Sequence, residues 1–162
     1  MNYYDIIADG YDELYAEEQR DKVRKIKKVL NFIDVKPYFR LLDVGCGSGV
    51  SAELFDCDKT GIDPSKELLK RCGFPVVLGV AEDLPFLDDE FDIVISFTAI
   101  HNFNNVVKGL KEMRRVGKKW FVFSVLKKSV KFDFIRANIF SLFRVVKEVD
   151  VGKDVCFVCD KF

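Results

Sequence analysis

Leu41-Leu42-Asp43-Val44-Gly45-Cys46-Gly47-Ser48-Gly49 is the stretch whose reading decides the fold. The apolar residues 39–44 read as a buried strand. The strand runs straight into glycines at alternate positions, Gly45, Gly47 and Gly49. Glycine lets the backbone turn sharply and lets a ligand approach where a Cβ would stand. The spacing is G-x-G-x-G, not the G-x-G-x-x-G of dinucleotide sites. Asp43, two residues before the first glycine, puts a carboxylate at the strand end. That charge repels a pyrophosphate and attracts a ligand with a cationic amino end, which argues against a nicotinamide dinucleotide.

Further along the chain, residues 59–63 read Lys-Thr-Gly-Ile-Asp, a short strand ending in Asp63 and followed by Pro64-Ser65. Asp63 follows the glycine turn by roughly 20 residues, the interval that puts an acid on a ribose hydroxyl in nucleotide-binding βαβ units. Val80-Ala81-Glu82-Asp83-Leu84-Pro85-Phe86 comes next, and residues 91–97, Phe-Asp-Ile-Val-Ile-Ser-Phe, read as a further strand. S-adenosylmethionine has an ammonium, a sulfonium and no phosphate, so the loop is a candidate site for that cofactor and for methyl transfer.

With these motifs in this order, the chain resembles the class I, Rossmann-like S-adenosylmethionine-dependent methyltransferases. The resemblance runs from about Tyr11 to the end of the chain and is strongest over residues 41–102. It implies that Asp43 holds the amino group of the cofactor, directly or through water, with Gly45, Cys46 and Gly47 as the cradle. It implies that Asp63, followed by Pro64, binds the ribose, and that Ala81 and Glu82 line the adenine. Many relatives carry Asp where this chain has Val80, which moves the adenine acceptor to Glu82 or Asp83. An N-terminal Tyr-Asp segment folds over the cofactor in many relatives, and Tyr11 matches it; Gln19 is a further candidate for the cofactor carboxylate. Structural alternatives stand beside these roles: Asp43 as a brace of the glycine turn, Asp63 as a helix N-terminal acid, Tyr11 as ordinary aromatic packing.

The alternating pattern predicts an α/β fold, a doubly wound, mostly parallel seven-stranded sheet with helices on both faces and a C-terminal antiparallel hairpin. Helices are expected at 17–33, 50–55, 65–71, 104–116 and 132–142. Strands are expected at 39–44, 59–62, 75–80, 91–97, 119–126, 143–150 and 153–159. The 162 residues suit a single methyltransferase domain, with 1–36 as a helical lid and 37–162 as the core. Lys plus Arg equals Asp plus Glu, 26 of each, so no global basic field supports RNA, although local patches remain compatible with it. No apolar run approaches the roughly 20 residues of a membrane span, and the N-terminus lacks a signal core. A cytoplasmic enzyme is the expectation.

His101 is the lone histidine, just after the strand at 91–97. It is the candidate general base or substrate contact, with a structural histidine as the alternative. Cys156 and Cys159 have C-x-x-C spacing, but a strand would point them to opposite faces, so no metal is expected. The basic run Lys22, Arg24, Lys25, Lys27 and Lys28 reads as a solvated helix face supported by Glu18–Lys22 and Asp21–Lys25 pairs. No N/D-P-P-Y/F/W run follows the fourth strand, which argues against adenine-N6 and glutamine acceptors. The segments L-D-V-G-C-G and A-I-H-N are similar to those of wobble-uridine carboxymethyl tRNA methyltransferases. The acceptor stays open between tRNA or another translation component and a small molecule taken under a lid built from residues 3–19; small relatives of this size work with a small zinc-binding activator protein, which implies such a partner, or a homodimer, for a macromolecular acceptor. A cofactor-binding subunit without turnover is the alternative function.

Overall fold

The computed structural model describes residues 13–161. Tyr11 and the first part of the expected lid lie outside the described residues. The elements in chain order are α1 (Glu13–Val29), β1 (Arg40–Val44), a 3-10 turn (Ala52–Leu54), β2 (Asp58–Asp63), α2 (Lys66–Leu69), β3 (Val76–Leu78) and β4 (Phe91–Phe97). A second 3-10 turn (Ile100–Asn102), α3 (Val106–Val116), β5 (Gly117–Leu126), α4 (Phe132–Leu142), β6 (Arg144–Asp150) and β7 (Asp154–Asp160) complete them.

The strands form one seven-stranded sheet in the order β3-β2-β1-β4-β5-β7-β6. Strands β1 to β5 pair in parallel. β7 inserts antiparallel beside β5, and β6 pairs antiparallel with β7 at the edge. The hairpin turns at Gly152, whose N–H donates to Asp150 Oδ1 at 2.9 Å.

Side-chain alternation along the strands explains why the sheet is covered twice. Leu42, Val94, Phe121, Phe123 and Phe157 point into one cluster, which α3 and α4 close with Leu110, Met113, Val116, Ile135 and Ile139. Leu41, Ile93, Ile95, Val122 and Val158 point the other way, under Val23 and Ile26 of α1. The two cysteines of the C-x-x-C run divide in the same manner: Cys156 packs in the second cluster and Cys159 in the first. Burial pushes both thiols up from their ordinary range.

The predicted elements differ from the structure mainly at their ends. α1 begins earlier than expected, because Ala16 and Gln19 share the buried face with Val23 and Ile26. It ends at Val29, where the backbone tightens and Ile33 N donates to Leu30 O at 2.8 Å. The helix expected at 50–55 is a single 3-10 turn, and β3 is short because its pairing with β2 spans only Gly61↔Val76 to Asp63↔Leu78.

Phe143 closes the first cluster, 4.8 Å from the Phe121 ring and 5.2 Å from Phe123. Phe143→Ala is expected to cost about 3–5 kcal/mol in urea unfolding, as a large ring lost from a packed core does. Phe134→Ala removes a ring that is 54% exposed and is expected to change stability by no more than about 0.5 kcal/mol. Equal losses in the two variants would contradict this placement of the core.

Candidate functional site

Because β1 to β4 are parallel, their carboxyl ends lie along one edge, where ligands bind in open α/β sheets. The turn after β1 is drawn against β2: Gly45 N and Cys46 N both donate to Ile62 O, at 2.8 and 3.1 Å. Gly45 has φ +76, and a Cβ there would stand 2.6 Å from the Ala99 Cβ, so the turns after β1 and β4 meet only through glycine. Gly47 has φ +54 and a different surrounding, since the nearest atom to a built Cβ is Leu68 Cδ1 at 3.8 Å. A side chain at Gly47 would make only ordinary contact with Leu68, so the left-handed φ rather than a clash is what favours glycine there.

Asp63 fastens this turn to the next. Its Oδ2 accepts from Gly47 N at 2.9 Å and its Oδ1 from Ser65 N at 2.8 Å. Ser65 in turn caps α2, accepting from Leu68 N at 3.3 Å. Asp43, at the end of β1, is 2% exposed, and its Oδ2 is buried without a hydrogen-bond partner among the described residues. Burial, and then the charge of Asp63, pushes the Asp43 carboxyl up to about 8. A buried carboxylate in this state calls for a cation. The unpartnered carboxylate oxygen thus fits the ammonium end of S-adenosylmethionine. Ser48 Oγ in the same loop is also buried without a partner among the described residues.

Cys46 is buried under the loop, and its thiol is held protonated by a hydrogen bond with Cys72 and by burial. Cys72 Sγ donates to Gly47 O at 3.2 Å. Pro64 follows Asp63 on the surface. Ala81 is buried beneath α3. Glu82 is engaged at the other end of that segment, where its Oε2 accepts from Asn105 N at 2.8 Å just ahead of α3. Gly79 N donates to Asp63 O at 3.1 Å, which keeps the exit of β3, and so residues 81 and 82, beside the exit of β2. Gln19 is buried on the inner face of α1.

The turn after β4 holds residues that the sequence did not single out. Thr98 has φ +54, a left-handed conformation that a β-branched residue adopts only under constraint, at a cost on the order of 1–3 kcal/mol. Its N–H donates to Ser124 O at 2.9 Å and to Ser124 Oγ at 3.0 Å. Its hydroxyl donates to Asp154 Oδ2 at 2.7 Å and accepts from Lys22 Nζ at 2.6 Å. Lys22 also lies 3.4 Å from Asp154 Oδ2, and the Asp154 side chain is fully buried. Lys22 is therefore not part of a solvated face; burial lowers its pKa, against the pull of Asp154. Glu18 reaches Lys153 instead, at 3.5 Å, and Asp21 pairs with Arg24 at 2.6 Å. A lysine in a basic run gives no signal of this inward turn, which depends on a carboxylate far away in sequence.

His101 lies in the 3-10 turn after Thr98 and is half-buried. Its Nδ1 is buried without a partner among the described residues. Burial lowers its pKa, Asp154 opposes that, and Lys131 and Lys22 add to the lowering. The ring is thus held neutral, the form that accepts a proton.

A family model described as a methyltransferase domain matches residues 42–123. An uncharacterized protein of Methanocaldococcus jannaschii is 32% identical over 154 residues, covering 93% of this chain and 56% of that protein. The chain spans about half the length of the curated relatives it matches most strongly. Among solved structures, a protein of Pyrococcus horikoshii superposes with a TM-score of 0.79 and 18% identity, over 100% of both chains. A Haloferax volcanii protein described as a methyltransferase, solved in complex with the Trm112 methyltransferase activator, gives a TM-score of 0.78 and 18% identity over 99% of this chain and 98% of that one. The glycine turn, the carboxylates at the ends of β1 and β2, the strand order and the matching family model together show that the chain belongs to the class I S-adenosylmethionine-dependent methyltransferases.

Proposed function

We propose that this chain transfers the methyl group of S-adenosylmethionine to an acceptor presented beside His101, at the carboxyl end of β4. The observation that carries the reading is Asp43, a buried carboxylate with an unpartnered oxygen two residues before the glycine turn that Asp63 tethers. In this reading Asp43 holds the ammonium end of the cofactor. Asp63 holds the ribose while shaping the loop, and Tyr11 closes over the site. Ala81 and Pro64 flank the adenosine, and Cys46 packs beneath the loop. Glu82 or Asp83 reads the adenine edge.

Bound S-adenosylmethionine supplies an electrophilic methyl carbon, whose bonding pair leaves with the sulfur as a neutral thioether. The chain's own work is alignment and exclusion of water. An acceptor that arrives protonated gives its proton to Nε2 of His101 as its lone pair takes the methyl carbon. Burial keeps the ring neutral and so ready to take the proton, Asp154 supports the imidazolium that results, and Lys131 and Lys22 oppose it.

The acceptor we favour belongs to the translation machinery, tRNA or another component, reached with a small zinc-binding activator subunit. The Haloferax volcanii methyltransferase found with its activator supports this, since its fold matches nearly the whole chain. Incubating the chain with labelled cofactor and fractions of its native cell, with and without a co-expressed activator, tests it. Label in RNA or ribosomal protein only when the activator is present is the expected outcome. Turnover of a small metabolite by the chain alone would rule out an obligatory partner, and binding without any transfer would make the chain a regulatory subunit. No helix among the described residues is long and apolar enough to cross a membrane, and a cytoplasmic site of action is part of the proposal.

Asp63→Ala is expected to weaken binding of S-adenosylhomocysteine by about 1–3 kcal/mol, the scale of a hydrogen bond to a charged group. Gly47→Val is expected to abolish it, because the new side chain fills the approach and strains a backbone at φ +54. Calorimetry reads both, and unchanged affinity in the pair would remove the site.

Asp43 adds a signature in pH. Its folded-state pKa is raised from 3.8 to about 8, so between those values the folded chain keeps a proton that the unfolded chain has released. Stability from this group therefore falls as pH rises across that window, and the loss is complete above it. Asp43→Asn removes the ionisation. Without cofactor, the variant is expected to gain on the parent in urea midpoint as pH rises, while its affinity for the cofactor drops. Parallel pH profiles for the two proteins would show that Asp43 is not held in this way.

A further inference from the structure

The underside of the glycine turn holds two thiols at one oxygen. Gly47 O accepts from Cys72 Sγ at 3.2 Å and from Cys46 Sγ at 3.7 Å. Cys46 reaches that oxygen from within the turn, whereas Cys72 comes from the segment between α2 and β3. Both sulfurs sit where neighbouring glycines leave room. A Cβ at Gly61 would stand 2.6 Å from Cys46 Sγ, and one at Gly49 would stand 3.0 Å from Cys72 Sγ. The Phe74 ring borders the same space, 2.8 Å from the Gly49 Cβ position and 3.1 Å from that of Gly61. The two thiols differ in access: Cys46 is buried and Cys72 is half-buried. The other cysteines lie apart from this pair, Cys57 against the second core cluster, Cys156 within it and Cys159 within the first.

We propose that Cys46 and Cys72 are a modification site, joined by hydrogen peroxide into a reversible disulfide that weakens cofactor binding at the turn above them. The proposal rests on the reading of the glycine turn as the S-adenosylmethionine site and adds its regulation. Cys72, the more accessible thiol, meets the oxidant first. Its sulfur attacks one peroxide oxygen, the O–O bond breaks, and a sulfenic acid and one water form. The Cys46 sulfur then attacks the Cys72 sulfur and the S–O bond breaks. The departing hydroxide takes the Cys46 proton and leaves as a second water. Two thiols thus give up two electrons, and one peroxide is reduced to two waters. The new bond removes both S–H donors from Gly47 O and draws the peptide between Cys46 and Gly47 toward Cys72. Gly47 N is held on its other side by Asp63 Oδ2 at 2.9 Å, so the turn is pulled against its own tether. Asp43 and Asp63, which are placed by that turn, then no longer present the arrangement that receives the cofactor.

The full chain is treated with hydrogen peroxide, and peptide mapping by mass spectrometry without reduction locates the bonds formed. A Cys46–Cys72 peptide lighter by two hydrogens is the expected product, and dithiothreitol is expected to reverse it. Calorimetry is expected to show S-adenosylhomocysteine binding weakened about tenfold in the oxidised chain, within the usual range of coupling between sites. Coupling is reciprocal, so S-adenosylhomocysteine added before the peroxide is expected to reduce the yield of the bond. That second measurement uses the parent protein and needs no variant to fold. Cys72→Ser keeps a donor for Gly47 O and is expected to bind S-adenosylhomocysteine as the reduced parent does, with no response to peroxide. Peroxide that leaves Cys46 and Cys72 unlinked, or links either one to another cysteine or another chain instead, overturns the proposal. So does a Cys46–Cys72 bond that leaves affinity unchanged, or an equal loss of affinity in oxidised Cys72→Ser. Failure of the reduced parent to bind S-adenosylhomocysteine would instead overturn the methyltransferase reading, while the mapped bond would still show whether the two thiols react with each other.

Discussion

The carboxylate of Asp63 is the contact on which the site depends. One oxygen takes the N–H of Gly47 and the other that of Ser65. Two loops that leave different strands are thereby held in one arrangement. Without an acceptor at that point, Gly47 N would need another partner and the left-handed turn would lose its tether. A carboxylate accepts such bonds more strongly than a neutral oxygen does. The same acid that shapes the turn also adds negative potential beside Asp43, so structure and ligand preference come from one group.

That arrangement is expensive for the folded chain. Asp43 is buried with one oxygen unpartnered and a like charge nearby. The surrounding sheet tolerates this because both of its faces are densely covered, with α3 and α4 on one side and α1 on the other. Strain at Thr98 is tolerated in the same way, by bonds from three directions. The buried, unpartnered acid Asp43 and the left-handed Thr98 thus sit at the carboxyl edge of the sheet, whereas the opposite edge carries ordinary ion pairs such as Arg115 with Asp88 and Glu112, beside the left-handed Asp89. Asp43 stands where the proposed function has a cation held.

The antiparallel insertion of β7 between β5 and β6 has a functional consequence. It brings Asp154, the first residue of β7, level with Leu126 at the carboxyl end of β5. A parallel strand at that place would start at the far edge. The hairpin therefore delivers a late residue of the chain to the turn that carries His101.

Much of this was legible in residues 41–102. Glycine spacing, strand-terminal acids and period-two apolar runs report local geometry, and local geometry is what such patterns encode. They located β1, β2 and β4 and put Asp43 at the end of β1, and the C-x-x-C run could be read as two thiols on opposite faces. Element ends were less legible, because the start of α1 depends on what its Ala16 and Gln19 pack against. Lys22, Thr98 and Asp154 were not legible at all. Lys22 sits in a run of exposed cations, Thr98 is an unremarkable residue after a strand, and Asp154 follows a hairpin turn. Their meeting requires α1 to lie over the sheet and β7 to run antiparallel to β5, and only the tertiary structure decides that, because the bonds join residues 56 and 76 positions apart.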